Sequence, residues 1–210
     1  QVIQFIMYEM KELATKFPLL LVPGHHDLSA WSSNPIMMEI LARFSKQIRL
    51  CDKPGWINLE GAKVQIYVEP CTRKTKELCE RIEKLESRED GIFLAHQDVI
   101  GMHYGKFVVE YGLDADVLSK KFKWSFIGHC HEPSEIRNNV ISVGAPLQHN
   151  FSDVGGKRGW RIFDTEKGEL KFIENDISPQ FKDIVLEQGE EQLDTDDKNF
   201  YRVKVKGDKA

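Results

Sequence analysis

The sequence predicts an α/β fold, on three observations. Four apolar runs of strand length occur at residues 19–22, 92–95, 124–127 and 140–143. They are continuous rather than alternating, as in parallel strands covered on both faces, and segments with apolar residues at helical spacing lie before and between them. The third observation is positional: three of the runs pass straight into a turn or loop whose first polar residues include histidine.

Taken in order, residues 2–16 place Ile3, Ile6, Met7, Met10, Leu13 and Ala14 on one helical face, and Pro18 ends that helix. Leu19-Leu20-Leu21-Val22 reads as a buried strand running into the turn Pro23-Gly24-His25-His26-Asp27. Asn34-Pro35 opens a second helix over 36–47, with Ile36, Met37, Ile40, Leu41 and Phe44 inward. Short strands follow at 48–50 and 56–59, around Lys53-Pro54-Gly55. In the next strand, 62–69, Val64, Ile66 and Val68 alternate with Lys63, Gln65 and Tyr67 until Pro70 stops it. Residues 72–88 form a charged helix with Leu78, Ile82 and Leu85 as its apolar stripe and its Lys and Glu on a solvated face.

The strand at 92–95 runs into His96-Gln97, and residues 98–112, with Gly101 and Gly105 around Met102, His103 and Tyr104, read as an irregular loop. Asp114 is placed to cap a short helix reaching Phe122. The strand at 124–127 ends in Gly128-His129-Cys130-His131, and the strand at 140–143 ends in Gly144-Ala145-Pro146. Residues 159–163 and 169–173 pair as a hairpin across 165–168. The composition then shifts. Residues 187–197 are acidic and turn-rich, and 201–206 alternate apolar and basic residues like a strand. The expected division is one domain over 1–175, and over 176–210 a linker with the start of a further unit.

With 210 residues, 41% hydrophobic and 30% charged, the chain can bury a sizeable core, and general disorder is excluded. No apolar run approaches the roughly 20 residues of a membrane span, and the first ten residues carry no basic stretch of the kind that opens a signal peptide. A net charge of −4 gives no bulk attraction for nucleic acid, though a local basic patch would suffice. The four cysteines form no C-x-x-C pair and are expected to be reduced thiols in a cytoplasmic protein. Position 1 is not Met and the opening residues already read as a helix, so the sequence is expected to be a piece of a longer protein.

The chemistry lies in the histidines. Five of the seven (His25, His26, His96, His129 and His131) stand where an apolar strand becomes a loop. In an α/β fold the loops at the carboxyl ends of strands lie along one edge, where ligands bind. Neutral imidazole is the commonest metal ligand. A single H-x-H is common by chance, but three strand ends delivering imidazoles to one edge point to a metal-dependent site. If the strand before Gly128 stays extended, His129 and His131 share a face and Cys130 turns into the core.

These blocks resemble, in order, the last three signatures of the calcineurin-like metallophosphoesterases: G-N-H-D/E as Gly24-His25-His26-Asp27, a lone His after a strand as His96, and G-H-x-H as Gly128-His129-Cys130-His131. His96-Gln97, Val143-Gly144-Ala145-Pro146-Leu147-Gln148 and Gly159-Trp160-Arg161-Ile162-Phe163-Asp164 most resemble the SbcD-type exonuclease subunits of bacterial, phage and eukaryotic double-strand-break repair complexes. The resemblance covers about residues 1–175, and 200–206 looks like the entry to a DNA-capping domain.

The resemblance implies a sandwich of two mostly β sheets flanked by helices, and two-metal hydrolysis of DNA phosphodiesters in recombination and repair. It implies Mn²⁺ as the cofactor, with Mg²⁺ as the alternative, and as partners DNA, an SbcC-like coiled-coil ATPase and a second copy of the chain. It gives His96 and His129 to one metal and His131 to the other. His26 takes the place of the family's catalytic imidazole, and Asp27 would orient it. Lys157 and Arg158, beside Gly155-Gly156, are candidates to hold phosphate.

Two departures from the family pattern matter. His25 stands at the family's Asn position, where its longer side chain would shift the ion or the turn. The D-x-H and G-D-x-x-D blocks, which supply the bridging carboxylate, would lie before Gln1, so this chain alone is expected to bind metal weakly and cleave little. The alternatives are a metallophosphatase acting on a nucleotide or phosphoprotein, and a non-catalytic scaffold that holds DNA or a partner. Of the remaining histidines, His103 reads as a loop residue and His149 as one that could approach the edge of the site.

Overall fold

The computed structural model describes residues 2–28, 36–59, 64–187 and 195–206. Helix α1 (Val2–Ala14) unwinds before Pro18 and leads into strand β1 (Leu19–Leu21). Helix α2 (Ile36–Ala42) is shorter than its apolar spacing predicts. Its end tightens into i→i−3 bonds, Arg43 N–H to Ile40 and Phe44 N–H to Leu41, which close the helix early. Strand β2 (Ile48–Leu50) then pairs with β1 in parallel.

Strands β3 (Gly55–Asn58) and β4 (Gln65–Glu69) form an antiparallel pair, and helix α3 (Thr75–Lys84) and strand β5 (Arg88–His96) follow. The predicted irregular loop contains a small hairpin, β6 (His103–Tyr104) and β7 (Phe107–Val108). Gly105 at φ 60° makes its turn possible. Helix α4 (Ala115–Lys121) is capped as expected, by Asp114 accepting the Asp116 and Val117 N–H groups. Strands β8 (Phe122–Gly128), β9 (Ser134–Arg137) and β10 (Val140–Ser142) come next, then a 3₁₀ turn at Phe151–Asp153. The predicted hairpin is β11 (Gly159–Asp164) with β12 (Glu169–Glu174), in register throughout. Strand β13 (Phe181–Leu186) pairs in parallel with β14 (Phe200–Val205).

The central sheet runs β3-β4-β5-β8-β10-β9. Its four inner strands are parallel and its two edge strands antiparallel. The fold is therefore α/β, as predicted. Among the described residues it consists of one six-stranded mixed sheet with four two-stranded ones, not two large sheets. Alternation along the inner strands divides the core. Tyr67, Phe93, Ala95 and Ile127 join Leu78 and Ile82 of α3 and Leu118 of α4 on one face. Ile66, Val68 and Ile92 meet Leu20 of β1, Cys51 and Phe163 of β11 on the other. A continuous apolar run is what a strand covered on both sides requires.

Not every predicted apolar face is covered. On α1 only Ala14 is buried, while Ile3, Ile6 and Leu13 remain exposed. The periodicity set the helix, but no described element packs over its stripe. The linker expected at 187–197 falls mostly on 188–194, outside the described residues. The thiols are all free, with Cys51 and Cys130 buried.

One buried charge fixes the end of β4. Glu69, 1% exposed, takes both Arg81 Nε (3.1 Å) and Nη2 (2.6 Å) from α3. Burial pushes its carboxyl up even against that guanidinium. Replacing Arg81 with Met leaves a buried carboxylate unpaired and is expected to cost about 3 kcal/mol in urea unfolding. Adding Glu69→Leu removes that charge and should recover most of the loss.

Candidate metal centre

The parallel register of β5 and β8 sets His96 opposite Gly128, so His96 and the residue after Gly128 leave the sheet at the same edge. The turn after β1 is tied to that edge by the Cys71 N–H, which donates to Pro23 O at 2.9 Å just beyond β4. Gln97, buried, spans the neighbouring loops through its amide to the Pro70 and Thr72 carbonyls. The His96 ring sits between two glycines. A Cβ on Gly24 would fall 2.9 Å from its Cε1, and one on Gly128 would fall 3.0 Å from its Nδ1. Both motif glycines are therefore required by the space the imidazole occupies.

Beyond Gly128 the chain does not stay extended. His129 has φ 107°, the one positive value outside glycine among the described residues, a conformation costing about 1–3 kcal/mol. Cys130 is buried as expected, but His129 and His131 enter different surroundings. This corrects the expectation that they share a face: the alternation rule fails because the strand ends at Gly128.

Three of the predicted ligands converge. His25 Nδ1 lies 3.0 Å from His96 Nε2 and 3.1 Å from His129 Nδ1, and the three nitrogens all lie within 4.8 Å of one another. Two bonds of about 2.1 Å at right angles span about 3.0 Å, so these edges fit one metal ion bound by imidazole. The rings also fit it electronically. Burial, with His129 and His25 nearby, lowers the His96 imidazole to about 4. Burial and the neighbouring His129 and His26 lower His25, and burial lowers His129 although Asp98 opposes it. All three are neutral near pH 7 and offer lone pairs.

His129 is held from behind. Its Nε2 lies 3.3 Å from Asp98 Oδ1, which also accepts the Tyr104 hydroxyl at 2.9 Å. A carboxylate at Nε2 keeps the proton there and leaves Nδ1 free for a ligand role. Burial first, then Cys130 and Asp98, pushes the Tyr104 hydroxyl up, so it stays a donor.

The other predicted residues are placed elsewhere. His131 lies with its Nδ1 3.3 Å from both oxygens of Asp153 and its ring 4.4 Å from His149. It is not part of the three-imidazole group. His26 is exposed, its ring 4.0 Å from that of His25. Asp27 Oδ2 accepts the Gly24 N–H at 2.8 Å and closes the turn. Among the described residues Asp27 makes no hydrogen bond to His26, so the expected orienting contact is not formed. Lys157 pairs with Glu174 at 2.9 Å on the surface. Arg158, 6% exposed, is committed to Asp153 at 2.9 Å, which is not the open loop cation expected to hold phosphate. His103 is exposed on β6.

Asp98, Tyr104 and Asp153 were missed. Asp98 follows His96 by two residues, a spacing that could have placed it at the same edge. Asp153 carries no such signal, because a 3₁₀ turn brings it in.

No protein-family model matches the chain. Two nuclease subunits do. The chain is 28% identical over 160 residues, 75% of its length, to "Exonuclease subunit 1" of Enterobacteria phage T4. It is 38% identical over 50 residues, 23% of its length, to a subunit of the nuclease SbcCD of Staphylococcus epidermidis. The resemblance to SbcD-type nuclease subunits is thus carried by both relatives. The matches cover 45% of the phage protein and 13% of the staphylococcal one, so the chain spans less than half the length of either.

The pH sign follows from the lowered imidazoles. In the metal-free chain, unfolded His96 takes a proton below about 6.5, while the folded ring does so only near 4. Stability is therefore full above pH 6.5 and falls as pH drops toward 4. The melting midpoint, measured across that window, should fall more steeply for the native chain than for His96→Gln. Gly24→Ala should displace the His96 ring and weaken divalent-metal uptake about 10-fold or more by calorimetry.

Proposed function

We propose that this chain carries the metal-binding part of a nuclease that hydrolyses DNA phosphodiester bonds with two divalent cations. The observation that carries the reading is the convergence of His25 Nδ1, His96 Nε2 and His129 Nδ1 from three separate loops. The similarity to two named nuclease subunits supports it. His25, His96 and His129 would hold one ion, and His131 would contribute to the other. The bound cations would polarise the phosphodiester and supply hydroxide near neutral pH.

The chain's own residues prepare that chemistry. Gly24 and Gly128 hold the His96 ring in one place, and Asp98 with Tyr104 fixes the proton on His129 Nε2. His26, exposed beside His25, is positioned to give a proton to a leaving oxygen. The name of the staphylococcal relative supports work with an SbcC-type subunit on DNA. The six-stranded sheet, covered by helices on one face and small β units on the other, is compatible with the metallophosphoesterase sandwich. We also propose a recombination and repair role, a second copy of the chain as partner and a cytoplasmic location; among the described residues no helix is long and apolar enough to cross a membrane.

Mn²⁺ is the proposed ion, with Mg²⁺ as the alternative. Three imidazoles alone suit zinc or nickel as well, and oxygen ligands are what favour manganese. The convergent group contains no carboxylate among the described residues. That favours, as a second reading, a chain that holds metal and DNA while cleaving little.

Calorimetry with Mn²⁺, Mg²⁺ and Zn²⁺, alongside cleavage of end-labelled single- and double-stranded DNA and of a small phosphomonoester, tests these readings. Mn²⁺ uptake lost in His25→Ala, His96→Ala and His129→Ala, with slow Mn²⁺-dependent DNA cleavage, is the expected result. Uptake without any cleavage favours the scaffold, cleavage of the monoester alone favours a phosphatase, and no uptake of any of the three ions sinks both metal-based readings.

A further inference from the structure

The loop after β10 holds a second buried charge pair that the three-imidazole centre does not use. Asp153 and Arg158 are 5% and 6% exposed, and Arg158 Nη2 donates to Asp153 Oδ1 at 2.9 Å. The His149 backbone N–H donates to Asp153 Oδ2 at 2.8 Å. Arg158 Nη1 donates to the Lys157 carbonyl at 2.8 Å, and a Cβ on Gly156 would fall 2.6 Å from that nitrogen. Gly156 therefore leaves the space that the guanidinium fills. Asn150, accepting the Ser152 N–H at 2.8 Å, sets the 3₁₀ turn that carries Asp153 inward.

A buried ion pair is weak evidence for stability, since an apolar pair of similar volume often serves as well. Its direction is what distinguishes this one. Both Asp153 oxygens lie 3.3 Å from His131 Nδ1. A carboxylate that already accepts from Arg158 and from a backbone N–H is an acceptor only. A lone pair on His131 Nδ1 facing it would be repelled, so that nitrogen carries the proton. The lone pair is then on Nε2. The His131 side chain is 40% exposed and can present that atom outward.

We propose that Asp153, clamped by Arg158, is a positioning residue that presets His131 in the Nδ1–H tautomer and offers Nε2 as a ligand for the second divalent cation. The ligand half of this statement rests on the proposed two-cation function, and the tautomer half does not. His129 is held the opposite way, with Asp98 at Nε2 and Nδ1 in the three-imidazole group. The two imidazoles of Gly128-His129-Cys130-His131 would thus offer different nitrogens to different ions.

Long-range ¹H–¹⁵N correlation spectra of the metal-free 210-residue chain, at a pH where the histidines are neutral, read the tautomer directly. His131 is expected as Nδ1–H in the native chain and as the Nε2–H form in Asp153→Ala. Should that variant unfold, Asp153→Leu with Arg158→Met removes both buried charges together and tests the same point. In calorimetry the weaker Mn²⁺ step should drop about 10–100-fold in either variant, with the step that depends on His25, His96 and His129 unchanged. A native His131 in the Nε2–H form, or a tautomer indifferent to the loss of Asp153, overturns the positioning role. A native Nδ1–H tautomer with uptake of a single ion upholds the positioning role and sinks the two-cation reading.

Discussion

The site depends on a steric constraint: the His96 imidazole fills a slot between the backbones of Gly24 and Gly128. The slot exists because two parallel strands end together, His96 beside Gly128 in register, and because neither glycine carries a Cβ that would stand about 3 Å from the ring. Parallel strands place their loops on one edge whatever the sequence. What this sequence adds is that the loops after β1, β5 and β8 interlock around one side chain. Displacing the His96 ring would therefore move the surroundings of His25 and His129 as well.

Electrostatics follow from the same crowding. Three imidazoles within 4.8 Å cannot all be charged without strong mutual repulsion, and burial pushes His96 furthest toward neutrality. Asp98 touches His129 from outside the group, so it orients that ring without adding a negative ligand among the three. The left-handed φ of His129 then separates the two histidines of the motif. One joins the group and the other turns to the Asp153 pedestal. Strain at a single residue is what lets one short motif serve two neighbourhoods.

Much of this was legible in the sequence, for identifiable reasons. The apolar runs of β5, β8 and β10 are continuous because both faces of the sheet are covered, and residue type alone shows it. The ligand histidines were visible because each follows such a run. What escaped depended on non-local geometry. Strand β13 pairs in parallel with β14, nineteen positions on by the Phe181–Phe200 register, and no turn signal links them. Strand β9 is short, on the sheet edge, and bulged against β10. The inward face expected of α1 was a statement about periodicity, and periodicity cannot say which element arrives to cover it. Asp153 reaches His131 across 22 residues, a distance over which no spacing rule operates.

The placement of Arg158 bears on how the proposed site would meet a polyanion. A guanidinium that already faces Asp153 and the Lys157 carbonyl inside the loop cannot turn outward to a phosphate without leaving a buried carboxylate unpaired, a strongly unfavourable exchange. Lys157 is exposed but faces Glu174, and such a surface pair is worth little and opens readily. Among these two cations, only Lys157 can turn to substrate at low cost. The inner edge of the site, lined by neutral imidazoles, offers a phosphate no fixed positive charge of its own. Under the proposed function its attraction for DNA would then come chiefly from the divalent ions it holds. Substrate binding and metal loading would be one coupled equilibrium, with Arg158 serving the ligand geometry from behind.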